Sequence, residues 1–439
     1  MMQLKNIKLY LLAMLFALAG WTGCTIDDVP DPNNPSLAPI LEDATLNELR
    51  ALALGVEQLG RDEIGFYYDV TSILGRDYWF FTSSDPRYTG ELLGKGSAVL
   101  DDAGFYGTRP YAGRYANVKQ CNIIIEAVAN SKADLSAAER LGFTAFANTM
   151  KAYELLLALN LQYQNGIRTD VADPDNLGAF QSYENALRDI NELLETAAND
   201  LNNAGDEFAF SLSPGFAGFD TPATFRQFTR AVQARVALYR NDKASALSHL
   251  NESFFDLAGD FQMGPSRYYT TAGGEELNPV FRTPDQSEAI VAHPDFVLSL
   301  DPADARNAKI AMRPSGAISL DGLTGDHDVV LWNSQSTPIS YISNEELILI
   351  YAESNIGTNN TEAISALDVI RTGNGLGAYA GGSDDDSVTD EMLDQRRWSL
   401  FGQGHRWVDM RRYNRLDELT IDRPDDDVWT QLPRPVSEN

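Results

Sequence analysis

Cysteine is almost absent. The 439 residues contain two, Cys24 and Cys121, too few for a disulfide framework and too far apart for a Cys-x-x-Cys pair. Histidine is nearly as scarce. His249, His293, His327 and His405 are widely separated, so no helical His pair is available to hold zinc. Positive charge is in deficit, with 34 Lys and Arg against 63 Asp and Glu and a net charge of −29. A field of that sign repels polyanions and excludes nucleic-acid binding by phosphate neutralisation. Catalytic signatures are missing too: there is no G-x-S-x-G elbow, no H-E-x-x-H and no P-loop. The nearest approach to a phosphate loop, Gly373-Asn374-Gly375-Leu376-Gly377, follows a helical pattern where a strand is required, and reads as a helix C-cap and turn. Beyond the N-terminus no apolar run approaches the ~18 residues of a membrane span.

The N-terminus is different. Lys5 and Lys8 precede an apolar run from Leu9 to Ala19, too short to span a bilayer comfortably. Residues 1–23 are therefore expected to be a signal peptide. Gly20-Trp21-Thr22-Gly23-Cys24 resembles a bacterial lipobox, in which the cysteine is acylated after cleavage. Cys24 is the expected lipidation site, and its acyl chains the membrane anchor. Residues 24–40 carry Pro30, Pro32, Pro35 and Pro39 among polar neighbours, the pattern of an extended tether. The acids Asp27 and Asp28 resemble the export signal of surface lipoproteins in Bacteroidota. These features imply an outer-membrane, lipid-anchored protein facing the cell exterior.

A hydrophobic fraction of 44% supports a sizeable core. From residue 41 the apolar spacing is helical. Leu46, Leu49, Ala53, Val56 and Leu59 share one face, and stripes of the same kind run through 115–129, 141–163 and 183–202. Cys121 lies on such a stripe and reads as a small buried hydrophobe. Two segments, Ala231–Leu247 and Glu345–Leu367, have the small residues and tight turns of tetratricopeptide hairpins. The expected fold is mostly α: tetratricopeptide-like helical hairpins forming a right-handed scaffold, helical over 41–250 and 341–439. Between them, 251–340 is rich in Gly and Pro with short apolar runs, and is expected to be an irregular, loop-rich insertion. Binding residues gather in such segments.

Near the C-terminus stands Asp394-Gln395-Arg396-Arg397-Trp398-Ser399-Leu400-Phe401-Gly402-Gln403-Gly404-His405-Arg406-Trp407-Val408-Asp409-Met410-Arg411-Arg412. This block resembles the hallmark of the RagB/SusD family, nutrient-binding outer-membrane lipoproteins of Bacteroidota. Gln395, Ser399 and Gln403 stand where that family usually has acids. Physically the block reads as a lock of the fold. Trp398 and Trp407 are core anchors, and the arginines pair with buried acids such as Asp409 or Glu353.

The resemblance implies a binding protein with no catalytic residues, no metal and no cofactor. It implies a glycan or other oligomeric nutrient as ligand and a TonB-dependent, SusC-like transporter as partner. Family members bind ligand with loops from an early segment and from the mid-chain insertion. Candidate ligand-binding residues are therefore Arg76, Asp77, Tyr78 and Trp79, in a loop-like aromatic stretch, with Tyr268, Tyr269 and Trp332 in the insertion. Trp79 is expected to offer a stacking face, with Asp77 and Arg76 beside it for hydroxyls. Two other readings remain open. One is a glycan-cleaving enzyme on a helical scaffold, since paired acids abound. The other is a tetratricopeptide protein-binding scaffold. Asp321, Asp326 and Asp328 are a weaker candidate for calcium.

Overall fold

The computed structural model describes residues 37–438. The signal peptide, Cys24 and most of the tether lie outside the described residues. The last few tether residues do not: Leu37 precedes a helix that begins at Ala38, with Pro39 in its first turn. Proline is tolerated there because its missing N–H would have had no partner anyway.

Thirteen α-helices dominate the regular structure of the described residues: α1 (Ala38–Asp43), α2 (Leu46–Leu59), α3 (Ile64–Leu74), α4 (Phe105–Asn130), α5 (Ala137–Gln162), α6 (Tyr183–Leu201), α7 (Pro222–Tyr239), α8 (Lys243–Asn251), α9 (Pro294–Ser299), α10 (Asn344–Asn355), α11 (Asn360–Gly373), α12 (Asp385–Ser399) and α13 (Arg406–Arg412). The helix starts are written in the sequence. Thr45 with Glu48 and Ser136 with Glu139 close reciprocal capping boxes at α2 and α5. Successive helices α4 to α8 pack each on the next, as do α10, α11 and α12. This is the expected mostly-α scaffold of tetratricopeptide-like hairpins. Gly166, placed where the α5 pattern stops, has φ +67, and a Cβ there would lie 1.9 Å from the Gln181 carbonyl oxygen. Only glycine fits that approach.

The hairpins are fastened by buried ion pairs. Arg235 on α7 forks onto Glu346 of α10 with two bonds of 2.6 Å, and Arg114 on α4 meets Glu154 of α5 at 2.5 Å. Such bidentate or fully hydrogen-bonded pairs specify which helices meet, since either charge left alone in the core would cost about 3–5 kcal/mol.

The C-terminal block is the lock its composition suggested. Arg396 binds Asp409 at 2.7 Å, and Arg412 bridges Glu353 at 2.9 Å and Asp409 at 2.8 Å. Trp407 is fully buried and donates its indole N–H to the Trp429 carbonyl at 2.7 Å. Trp398 is only partly buried, with its N–H on Ser299. The departures from acid at Gln395 and Ser399 have a local explanation. Both accept from Arg306, at 2.8 and 3.0 Å, and the charge that arginine needs comes instead from Asp304 at 2.6 Å.

The aromatic stretch near Trp79 is not a loop. Tyr78–Phe81 is a buried strand, antiparallel to Ala289–Ala292 with Trp79 opposite Val291. Its neighbours complete a four-stranded sheet with His327–Val329 in the third place and Ile310–Met312 at the edge. Four consecutive aromatics fit because this sheet is covered on both sides, so either pleat direction is interior. The insertion is thus stitched to the N-terminal helical part through one strand.

Candidate functional site

Six of the seven residues expected to meet a ligand lie in the interior. Trp79 is 4% exposed and Trp332 5%. Trp79 stacks on Phe81 with ring centroids 5.7 Å apart, and its indole N–H donates to Asp422 at 3.2 Å. Trp332 packs beside Tyr68 and Gly402. Arg76 is spent on the carbonyls of Thr420 and Asp427 and on Asp422. Asp77 accepts from the Gly402 backbone N–H at 3.0 Å, and burial pushes its carboxyl up to about 7. Tyr78 donates to Asp69 at 3.0 Å. Tyr269 is buried, while Tyr268 next to it is 36% exposed. An exposed Trp79–Trp332 platform is therefore not what the fold presents. The candidate calcium acids do not converge either. Asp321 is held by Lys95 and Arg423, Asp328 by Arg313, and Asp326 by His327. Among the described residues no cluster of acids, histidines or cysteines is arranged to hold a metal.

One layer outward, residues other than the seven expected bring the early segment and the insertion together. A cleft of about 330 Å³ opens where the α2–α3 turn, the first turns of α3 and α4, and residues 276–282 of the insertion meet. Phe66 on α3 and Tyr88 supply its aromatic surface, and Pro279 and Leu277 its apolar rim. The hidden strand is the floor beneath it. Phe80 packs edge-on to Tyr88 with centroids 4.7 Å apart, and the Arg282 guanidinium lies 5.0 Å over Phe80. Phe105 braces both visible rings, 5.6 Å from Phe66 and 4.9 Å from Tyr88.

Polar groups interleave with these rings. Arg109 lies over the Phe66 ring at 4.1 Å and pairs with Glu63 at 2.7 Å, and its side chain is 51% exposed. Arg282 faces the buried Asp69 at 3.7 Å. Burial pushes Asp69 up to about 6, with Arg282 and the Tyr78 hydroxyl acting against that rise. Arg61 reaches Glu276 at 3.5 Å, and its other end donates to the Tyr268 carbonyl at 2.7 Å. Glu276 is held above the usual carboxylate range by partial burial. Aromatic faces with a fringe of Arg, Asp and Glu suit a ring that is apolar on its faces and hydroxylated on its edge. Sequence reasoning overlooked Phe66, Tyr88, Arg109 and Arg282. Phe66 in Gly65-Phe66-Tyr67-Tyr68 carried a signal, since three adjacent aromatics on one helix cannot all face the core.

The chain's relatives agree with this architecture. Residues 345–429 match the model of the SusD family. A solved SusD superfamily protein from Parabacteroides distasonis superposes with a TM-score of 0.65 at 15% identity, covering 88% of this chain and 96% of its own. Surface glycan-binding protein A from Bacteroides thetaiotaomicron, solved in complex with laminarihexaose, gives 0.67 at 13% identity, covering 90% and 97%. A SusD-like carbohydrate binding protein from Bacteroides vulgatus gives 0.63 at 15% identity, covering 84% and 83%. No curated protein matches the sequence. Residues 345–429, within α10 to α13 and the segment after them, thus carry the signature of the SusD family, and the fold along most of the chain is that of the SusD superfamily structures.

Proposed function

We propose that this protein is a glycan-binding lipoprotein of the outer membrane, held by acyl chains on Cys24 and facing the cell exterior. It captures an oligosaccharide and passes it to a TonB-dependent transporter of the SusC type. Residues 1–23 are removed on export, and the segment after Cys24 tethers the folded body. The observation that carries the binding reading is the Phe66–Tyr88 cleft, where two aromatic rings, Arg109, Arg282 and two acids of raised pKa converge from the scaffold and the insertion. The family's solved members, one bearing a laminarihexaose chain, support the class of ligand.

Titration calorimetry with neutral oligosaccharides tests it, using the mature protein and its Phe66→Ala and Arg282→Ala variants. Loss of roughly 1–3 kcal/mol of affinity in Phe66→Ala, the scale of an aromatic stacking contact, is expected with an unchanged melting curve. Equal affinity in both variants and the parent rules the cleft out.

A second reading rests on Asp69. A carboxyl held near 6 beside a cleft resembles a general acid. Against it, that carboxyl is buried and engaged by Tyr78 and Arg282. Release of shorter products from a bound oligosaccharide, abolished in Asp69→Asn, would establish the enzyme instead.

A further inference from the structure

A larger groove, of about 650 Å³, lies between the hairpins, away from the insertion. Its walls are helix ends: the chain just after α5, the first turn of α6, the α7–α8 turn, Glu353 on α10 and the last turn of α13. The volume suits a ligand of two or three sugar rings.

Its charge runs against the molecule. The chain as a whole has 63 acids to 34 bases. The groove is lined by four cations, Arg188, Arg240, Lys243 and Arg412, and only two acids, Glu184 and Glu353. Glu353 is already satisfied by Arg412 at 2.9 Å and by the Tyr413 hydroxyl at 2.8 Å. Arg240 is exposed, and its guanidinium has no hydrogen-bond or salt-bridge partner among the described residues, with Asp242 as an electrostatic neighbour. Arg188 is 52% exposed and shares its charge with Asp189 at 3.2 Å and Glu192 at 3.8 Å on its own helix, both outside the groove's lining. Lys243 uses one N–H on the Ile356 carbonyl at 2.8 Å and has two to spare. Arg240 and the spare N–H groups of Lys243 are thus available to something outside the chain, with the exposed Arg188 beside them.

The remaining lining is phenolic and amide. Tyr183, 7% exposed, carries a hydroxyl that finds no partner among the described residues, although a buried hydroxyl ordinarily has one. Tyr163 holds φ 43 and ψ −115, a sparsely populated conformation for a residue with a side chain. Its ring is fixed edge-on to Tyr183 at 4.8 Å, with the Arg411 guanidinium 4.2 Å above it. Gln164, Asn185 and Asn241 add short amides. Leu187 and Leu238 are the groove's aliphatic lining, so there is little to seat the side chains of a peptide. None of the wall segments is a strand whose edge a peptide backbone could extend.

We propose that this groove is a second binding site, separate from the Phe66–Tyr88 cleft, and that it takes an oligosaccharide bearing carboxylates. The tyrosine rings and amides meet the sugar, and Arg188, Arg240 and Lys243 meet the acid groups. The two sites then differ in charge preference. The cleft sets three arginines against four acids, whereas the groove has cations in excess.

Calorimetric titration of the mature protein with trigalacturonic acid tests this, alongside its uncharged counterpart, a galactose trimer, and a hexaglutamate peptide. Trigalacturonate is expected to bind, and to weaken as salt rises from about 50 to about 500 mM. The double variant Arg188→Gln/Arg240→Gln, altered only at exposed positions, should melt like the parent. It should bind trigalacturonate roughly five- to thirtyfold more weakly. Phe66→Ala should leave this affinity untouched, which separates failure here from failure of the cleft. No trigalacturonate binding, equal binding of the uncharged trimer, or unchanged affinity in the double variant overturns the proposal. Tighter binding of hexaglutamate overturns it in favour of a peptide site.

Discussion

The indole of Trp79 donates to Asp422, 343 residues downstream, at 3.2 Å. The same carboxylate takes His293 at 2.6 Å and Arg76 at 3.4 Å, and its side chain is 2% exposed. One acid from the C-terminal segment therefore ties the early strand to the insertion. Asp422→Ala leaves Arg76 and the Trp79 N–H without their shared acceptor. It should cost about 3–5 kcal/mol, measured as a lower denaturant midpoint. Trp79→Ala should cost about as much by leaving a cavity. An unchanged midpoint in either variant means that the knot is not structural.

Asp77 makes the stability of the fold depend on pH. Its folded-state carboxyl stands at about 7, against an ordinary value of 3.8, because it is buried. Between those values the folded state keeps a proton that the unfolded chain has released. This contribution is complete below about pH 4 and is lost as pH rises through about 7. Asp77→Asn keeps an acceptor for the Gly402 N–H and removes the ionisation. Between about pH 5 and pH 8 the variant should lose on the order of 2 kcal/mol less stability than the parent. Parallel melting curves across that range contradict this.

Anchoring has a separate test. Cys24→Ala should leave the protein unprocessed or soluble, because acyl chains are the only strong membrane attachment the account provides. Cell fractionation in the absence of the transporter reads this out, and full retention of the variant in the outer membrane refutes the lipid anchor.

A net charge of −29 repels itself at low ionic strength, and added cations screen it. The melting temperature should therefore rise between low and molar KCl. A flat response places the charge in local pairs such as Arg230 with Glu195 and Arg371 with Glu391, not in a long-range field.

The sequence was most legible where one physical rule decided the outcome. Apolar spacing locates the long helices: the stripe over 141–163 marks a helix that spans Ala137–Gln162, and the stripe over 183–202 one that spans Tyr183–Leu201. The arginine-rich block was legible as a lock because five cations in an acidic chain need acids, and Asp409 and Glu353 stood at hand. The site was legible only as a region. Tyr78 to Phe81 held too many aromatics for one buried face. Exposure was one resolution, and a strand buried on both faces was the other. The partner that decided between them, Ala289–Ala292, lies more than 200 residues away in the chain, at a distance that local pattern does not register. Phe66 was hidden for the opposite reason. It shares a helix with core residues, and only the arrival of Pro279 and Arg282 turns its half-buried ring into the wall of a cleft.

The structure of the mature protein with a bound neutral oligosaccharide tests the central claim most directly. The account predicts a sugar ring in the cleft between Phe66 and Tyr88, within hydrogen-bonding distance of Arg109 or Arg282, with Trp79 still buried beneath on Asp422. A ligand seated elsewhere, or a rearranged strand that turns Trp79 out to meet it, contradicts the account.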